Sequence, residues 1–497
     1  VKAIMEHTLK QHFGYDSFRP GQEAVIMDIL TGHDVFAMLP TGSGKSMCYL
    51  LPGKLNDGLT IIVSPLLALM EDQVQGVRAL GERRVAAYNS FLTLYDKRRI
   101  LQQLSSLRYL YVSPEALNQA ELLSHLKNVK VSLFVVDEAH CVSQWGHEFR
   151  PDYMKLLHVR HELGDPQCLA LTATADERVK QDIIQYLGLT NTREHIDSID
   201  RPNIAMKVDK FERVLDKQQR LIKYTHRLQT PGIVYFSTKE WAERGAALIA
   251  DKTGLRTAYY HGGLDTEDRL LIQQQFINDQ LDVICCTNAF GMGVNKSNVR
   301  FVIHYDMPKN ITTYIQEMGR AGRDGKPSLA IMLFAEEDVY LPSKLIQSEY
   351  PNGAMLAALL DWYQERSNSS EADITTYGLE LGMSETAARF TAAQLQKWGH
   401  LQDQGQLRDK IESQMVERLN IKQKELQDVV AWIKGHGCRR DSILHHFGEQ
   451  KETAINGCCD VCGLDVEVFM QEETNAVRPQ QIPDWRTVLQ NLLVTGG

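Results

Sequence analysis

The chain has 497 residues, 43% hydrophobic and 24% charged, a composition that fits three or four globular domains with sizeable cores. Its net charge of −9 argues against a protein that coats nucleic acid through a basic surface, although a motor needs basic groups only along one path. No run of about 18 apolar residues occurs and the N-terminus lacks a signal-peptide pattern, so neither a membrane span nor a membrane partner is expected.

The predicted elements begin with strand-like runs at Val35–Leu39, Leu59–Ser64, Tyr109–Ser113, Leu133–Asp137 and Cys168–Thr172. Each is short, apolar and followed by a polar turn or a helical stretch, the alternation of an open parallel α/β sheet. A first domain over 1–205 follows from this. The pattern resumes with Gly232–Phe236, Arg256–Tyr260, Asp282–Cys286, Phe301–Tyr305 and Leu329–Phe334, which gives a second α/β domain over 206–345. The join is expected at Asp200-Arg201-Pro202-Asn203, because proline punctuates elements. Over 346–437 the chain reads as helical. Met355, Leu356, Leu359, Leu360 and Tyr363 form one stripe, and helices follow near Ile374–Leu381, Glu385–Trp398 and Arg408–Lys434, with Ser384 as an N-cap and Gly399 as a stop. These helices admit two readings, a helix-turn-helix-like unit or a structural bundle.

Chemistry first appears at Pro40-Thr41-Gly42-Ser43-Gly44-Lys45-Ser46. Between a strand and a helix, such glycines let the backbone wrap phosphate oxygens, Lys45 can reach the outer phosphates and Ser46 can hold Mg²⁺. The generic motif opens with glycine where this chain has Leu39, which leaves the cradle intact. About 90 residues on, the apolar strand Leu133–Val136 delivers Asp137 and Glu138. Asp137 suits Mg²⁺ and Glu138 suits polarising the attacking water. In the second domain, Gln316-Glu317-Met318-Gly319-Arg320-Ala321-Gly322-Arg323 carries two arginines on one face or turn. Small neighbours would let Arg320 and Arg323 approach phosphates across an interdomain cleft and make hydrolysis depend on closure.

These segments carry a family resemblance. Asp137-Glu138-Ala139-His140, Leu171-Thr172-Ala173-Thr174-Ala175 and Gln316 to Arg323 together resemble superfamily 2 helicases. Phe13 to Gln22 resembles the adenine-reading motif of the RecQ family of DNA helicases, and Cys141 to Tyr153 its aromatic-rich loop. The resemblance implies two RecA-like parallel-sheet domains in tandem, followed by a helical, zinc-binding C-terminal region. It implies that Tyr15, Arg19 and Gln22 contact the adenine end of ATP, and that Trp145, His147, Phe149 and Arg150 sense DNA. Aromatic and guanidinium planes stack on unpaired bases without reading sequence; ordinary core packing is the alternative for Trp145 and Phe149. Ser237, Thr238, His261 and Thr287 look like the family's loops against the DNA backbone. Asn295 stands where the family usually has aspartate, which puts any charge-dependent coupling there in doubt.

Nine cysteines without a secretion signal fit a reducing cytosol, and their late cluster suggests a metal. Cys438, Cys458, Cys459 and Cys462 are the expected zinc ligands of a subdomain over 438–463. The adjacency of Cys458 and Cys459 would demand a strained turn, so His436, His445 or His446 stay open as the fourth ligand. Beyond it, the tail 464–497 is shorter than a domain, so the winged-helix and HRDC domains of longer family members are expected to be absent. The leading reading is an ATP-dependent 3′-to-5′ DNA helicase of DNA repair or recombination. Its expected partners are single-stranded and forked DNA and single-stranded-DNA-binding protein; it would act as a monomer in the cytoplasm, at the nucleoid. A translocase without robust unwinding, or a nucleic-acid-binding scaffold with an inactive motor, are the alternatives; intact Lys45, Asp137, Glu138 and Arg323 oppose the second.

Overall fold

The computed structural model describes residues 1–65, 67–89, 92–143, 151–290, 296–366, 369–401, 403–451 and 455–471. Trp145, His147, Phe149, Arg150 and Asn295 therefore lie outside the described residues, as does the tail beyond 471.

The first lobe is built on seven parallel strands: β1 Val35–Met38, β2 Leu59–Val63, β3 Val85–Tyr88, β4 Tyr109–Val112, β5 Val131–Val136, β6 Cys168–Thr172 and β7 Arg193–Ile196. Their order is β3-β4-β2-β5-β6-β1-β7. The interior strands β1, β2, β4 and β6 are buried throughout and β5 over its last four residues, as a parallel sheet covered on both faces requires. β3 and β7 extend the strand set read from sequence. β3 is only Val-Ala-Ala-Tyr, and β7 is a polar edge strand of Arg-Glu-His-Ile, so neither shows a long apolar run.

The second lobe has six parallel strands: β8 Ile204–Phe211, β9 Gly232–Tyr235, β10 Thr257–Tyr260, β11 Val283–Cys286, β12 Phe301–His304 and β13 Ser328–Ala335. Their order is β10-β11-β9-β12-β13-β8. β8, also absent from the sequence reading, begins two residues after Pro202 and pairs with β13 along its whole length. The linker between the sheets is thus confined to the residues between Ile196 and Ile204.

Helices Tyr340–Ser348, Gly353–Glu365, Glu371–Glu380, Glu385–Trp398 and Gln404–Lys434 follow. Leu356, Leu359, Leu360 and Ile374 bury a separate core there with Ala388, Leu395 and Ile411. Ser384 caps the Glu385 helix by accepting from Ala387 N at 3.1 Å. The long Gln404–Lys434 helix begins four residues earlier than the charge pattern suggested, behind an Asp403 cap. Its far end returns to the second lobe: Trp432 packs on Tyr314 with ring centroids 4.7 Å apart. Leu464, Val466, Phe469 and Met470 then pack on the second lobe, where Met470 bridges Leu228. No described helix is long and apolar enough to cross a membrane.

Candidate functional site

β1 hands the chain to the phosphate loop, which runs through Thr41 to Ser46 into the helix Met47–Leu55. Gly42 and Gly44 adopt φ of +86° and +79°. Left-handed glycines at alternate positions are the backbone of an anion-binding nest. Ser43 Oγ is buried there without a hydrogen-bond partner, an orphan that a phosphate oxygen would satisfy. The upstream segment grips the same loop. Gln22 Nε2 donates to Ser43 O at 2.9 Å and Gly44 O at 3.0 Å, and Arg19 Nη1 donates to Gly42 O at 2.6 Å. Tyr15 remains 52% exposed, with its ring open to a ligand.

Four strands from β1 in sequence but two in the sheet, β5 ends at Asp137 and Glu138. Asp137 is buried, and that burial together with the Glu138 charge pushes its carboxyl up to about 7, while Lys45 pulls it back. A divalent cation held by Asp137 and the Ser46 hydroxyl would offset this cost, so the donor set fits Mg²⁺. Glu138 sits at φ +51°. Its Oε2 is buried without a hydrogen-bond partner, 3.5 Å from His140 Nδ1. His140 Nδ1 also lies 3.0 Å from Thr172 Oγ1, which donates to Thr174 O at 3.0 Å. Thr174 Oγ1 in turn accepts from Gln316 Nε2 of the second lobe at 3.1 Å. A polar chain therefore runs from the acidic pair to the facing domain.

The helix Ile311–Met318 stops at Gly319, so Arg320 and Arg323 lie in the turns beyond it rather than on a helix face. Those turns reach the phosphate loop. Thr41 Oγ1 donates to Gly319 O at 3.1 Å, and a Cβ on Gly319 would stand 2.4 Å from that hydroxyl. The Arg323 side chain lies over Gly42. Burial, then the charges of Arg320 and Arg201, lower the Arg323 guanidinium to about 9. Three clustered cations beside an anion nest call for a polyanionic guest.

Arg201 was read from sequence only as part of the join. Its Nη1 donates to Thr41 O at 3.1 Å and Gly319 O at 2.9 Å, and its Nη2 to Ala321 O at 3.1 Å and Gly322 O at 2.9 Å. Asn203 Nδ2 donates to Gly322 O and Lys326 O. Gly322, at φ +56°, leaves room for that amide. Nothing local in the sequence marks these partners, because only the closed fold brings them together.

Ser237, Thr238, His261 and Thr287 follow the C-terminal ends of β9, β10 and β11, which are neighbours in the sheet, so they share one edge of the second lobe. Ser237 N donates to Asp306 Oδ2 at 2.8 Å. Burial raises the Asp306 carboxyl, which the Lys217 ammonium opposes; Lys217 itself is fixed by Asp338 at 2.7 Å. Thr238 caps the helix Lys239–Thr253, while His261 Nε2 meets Glu243 Oε1 at 2.9 Å. Thr287 is buried and accepts from Ala289 N at 3.4 Å. The Lys217–Asp306–Asp338 set was not anticipated.

The sulfurs of Cys438, Cys458, Cys459 and Cys462 lie within 4.8 Å of one another. Cys459 does so from an ordinary extended backbone, φ −160° and ψ 171°, so the adjacent pair needs no strained turn. Cys462 closes the 3₁₀ turn Asp460–Cys462. Four thiolates at such spacing suit tetrahedral Zn²⁺, and no histidine joins this group among the described residues.

Two parallel-sheet lobes with a phosphate nest in one and arginines in the other define a nucleotide-driven helicase motor. The chain matches the DEAD/DEAH box helicase family over 19–183, the helicase conserved C-terminal domain over 213–325 and the RecQ zinc-binding family over 401–463. It is 43% identical to the probable ATP-dependent DNA helicase RecS of Bacillus subtilis, over 98% of this chain and 97% of that protein. It is 35% identical to the ATP-dependent DNA helicase RecQ of Haemophilus influenzae, over 91% of this chain and 62% of that protein. Among solved structures, DEAD-box helicase Mss116 bound to ssRNA and UDP-BeF shares the fold at a TM-score of 0.58 and 18% identity, covering 78% of this chain and 88% of that one. Helicase Lhr of Mycobacterium smegmatis, bound to ssDNA and AMP-PNP, does so at 0.55 and 20%, covering 67% and 48%. The chain belongs to the RecQ family of ATP-dependent DNA helicases.

Proposed function

We propose that this protein couples ATP hydrolysis to 3′-to-5′ translocation on single-stranded DNA and to duplex unwinding, in DNA repair or recombination. The observation that carries the motor reading is the 3.1 Å contact between Thr41 of the phosphate loop and Gly319 of the arginine turn, which makes the nucleotide site a shared property of both lobes. In this reading Thr41 to Ser46 cradle the phosphates, with Lys45 on the outer ones. Tyr15, Arg19 and Gln22 take the adenine end. Ser46 and Asp137 would hold Mg²⁺, which supplies charge neutralisation at the phosphates. Glu138 orients the attacking water. Arg320 and Arg323 stabilise charge on the transferred phosphoryl when the lobes close, and Gln316 reports closure through Thr174.

Ser237, Thr238, His261 and Thr287 contact the DNA backbone, with Trp145, His147, Phe149 and Arg150 as the sensor between DNA and hydrolysis. The working domains are 1–205, 206–345, a helical region 346–437, a zinc subdomain 438–463 and a tail 464–497. The partners are single-stranded and forked DNA and single-stranded-DNA-binding protein. The protein works as a monomer at the cytoplasmic nucleoid. Unwinding of 3′-tailed and forked duplexes, with blunt and 5′-tailed controls, tests this. Equal unwinding of 5′-tailed substrates refutes the polarity, and DNA-stimulated hydrolysis without strand separation identifies a translocase instead.

A further inference from the structure

The cysteine subdomain is fastened to the linker between the lobes. Arg440, 0% exposed, donates through Nη1 to the Asp200 carboxylate and to Arg201 O, and through Nη2 to Ile204 O. Glu449 accepts from Ser198 Oγ and from Ile199 N at 3.1 Å. Met206 N donates to Cys458 O at 3.1 Å. Arg440 follows Cys438 by two residues, and Cys458 is itself one of the clustered thiols. The metal site and the linker are thus one packed unit.

Arg201 projects from the middle of that gripped segment. Its guanidinium spans the phosphate loop through Thr41 O and the arginine turn through Gly319 O, Ala321 O and Gly322 O. A planar fork can serve several carbonyls at fixed angles; an ammonium carries the same charge without that geometry. Thr41 lies four residues before Lys45, and Gly319, Ala321 and Gly322 lie beside Arg320 and Arg323.

From this geometry we infer that Arg201 is a positioning residue for ATP hydrolysis, setting Arg320 and Arg323 against the phosphate loop, and that the zinc subdomain holds Arg201 in place through Arg440. The inference rests on the motor reading above. It assigns the zinc subdomain a part in the nucleotide cleft, through the linker rather than through contact with nucleotide.

The test compares wild type with Arg201→Ala, Arg201→Lys and Asp200→Ala in the full chain. DNA-stimulated ATPase, binding of a non-hydrolysable ATP analogue, zinc content and amide hydrogen exchange are measured on each. Arg201→Ala is expected to lower kcat by about tenfold or more while analogue affinity stays within about threefold, the split of a defect confined to the closed cleft. Amide exchange over 319–323 should rise and zinc content should stay at the wild-type level. Arg201→Lys should fail to restore kcat. Asp200→Ala, which loosens Arg440 without touching the cysteines, should move kcat and exchange in the same direction by a smaller factor, and it decides the matter if Arg201→Ala does not fold. Recovery of kcat by lysine, unchanged kcat in Arg201→Ala, or unchanged exchange over 319–323 would overturn the inference. A wild type lacking DNA-stimulated hydrolysis would instead remove the motor reading, and the exchange measurements would still decide whether Arg201 orders the arginine turn.

Discussion

Glu138 is held in a left-handed conformation that costs a non-glycine residue on the order of 1–3 kcal/mol. It follows Asp137 directly at the C-terminal end of β5, with Oε2 3.5 Å from His140 Nδ1. Glu138→Gln preserves that shape and removes the charge, so it should abolish DNA-stimulated hydrolysis and keep ATP binding; near-normal turnover would take the water-orienting role away from this residue. Lys45→Ala should lose turnover and also weaken nucleotide binding, measurable by titration with a fluorescent ATP analogue. Arg323→Ala should lower kcat on the order of a thousandfold with analogue affinity retained, the scale on which a transition-state arginine acts. A much smaller loss would shift that role to Arg320. The phosphate loop and the acidic pair were legible because their signals are contiguous in sequence. Arg201 was not, since its acceptors lie 118 to 160 residues away and no spacing rule connects them.

At the scale of elements, legibility followed apolar run length. Leu133–Val136 announces a buried strand, whereas β7 alternates charge at an exposed edge and β8 follows a proline that marked the join. The thiol cluster was legible as zinc chemistry, while its attachment to the linker was not. Changing Cys459 or Cys462 to serine should remove bound zinc and lower Tm; full zinc occupancy after either change would contradict the four-thiol site. Trp432 anchors the end of the long helix, packed on Tyr314 and donating from Nε1 to Arg439 O at 3.1 Å. Trp432→Ala should cost about 3–5 kcal/mol, the usual loss for a buried aromatic, read by denaturant unfolding. A cost under about 1 kcal/mol would mean this end of the helix contributes little to the core.

At the scale of the whole molecule, the contacts between the lobes include Thr41 Oγ1 on Gly319 O, Gln316 Nε2 on Thr174 Oγ1 and Gln273 with Asp72. Gly319 is one point of close approach. Gly319→Ala would place a methyl 2.4 Å from the Thr41 hydroxyl, so the lobes should part and DNA-stimulated turnover should fall while the first lobe still binds nucleotide. Wild-type turnover in this variant would show that the Thr41–Gly319 contact is dispensable to the cycle. The tandem sheets could be inferred from alternating runs, but the angle and spacing of the two lobes could not, because they depend on contacts between segments far apart in the chain.

The grip of Arg440 on Asp200 joins residues 240 positions apart, and this has a consequence for biosynthesis. At roughly 5–20 residues per second, the cysteine segment leaves the ribosome about 12–50 s after the linker it will hold. The first lobe has time to fold while its connection to the second hangs loose. The four thiols can therefore close over the linker only after the strands of both sheets have been synthesised.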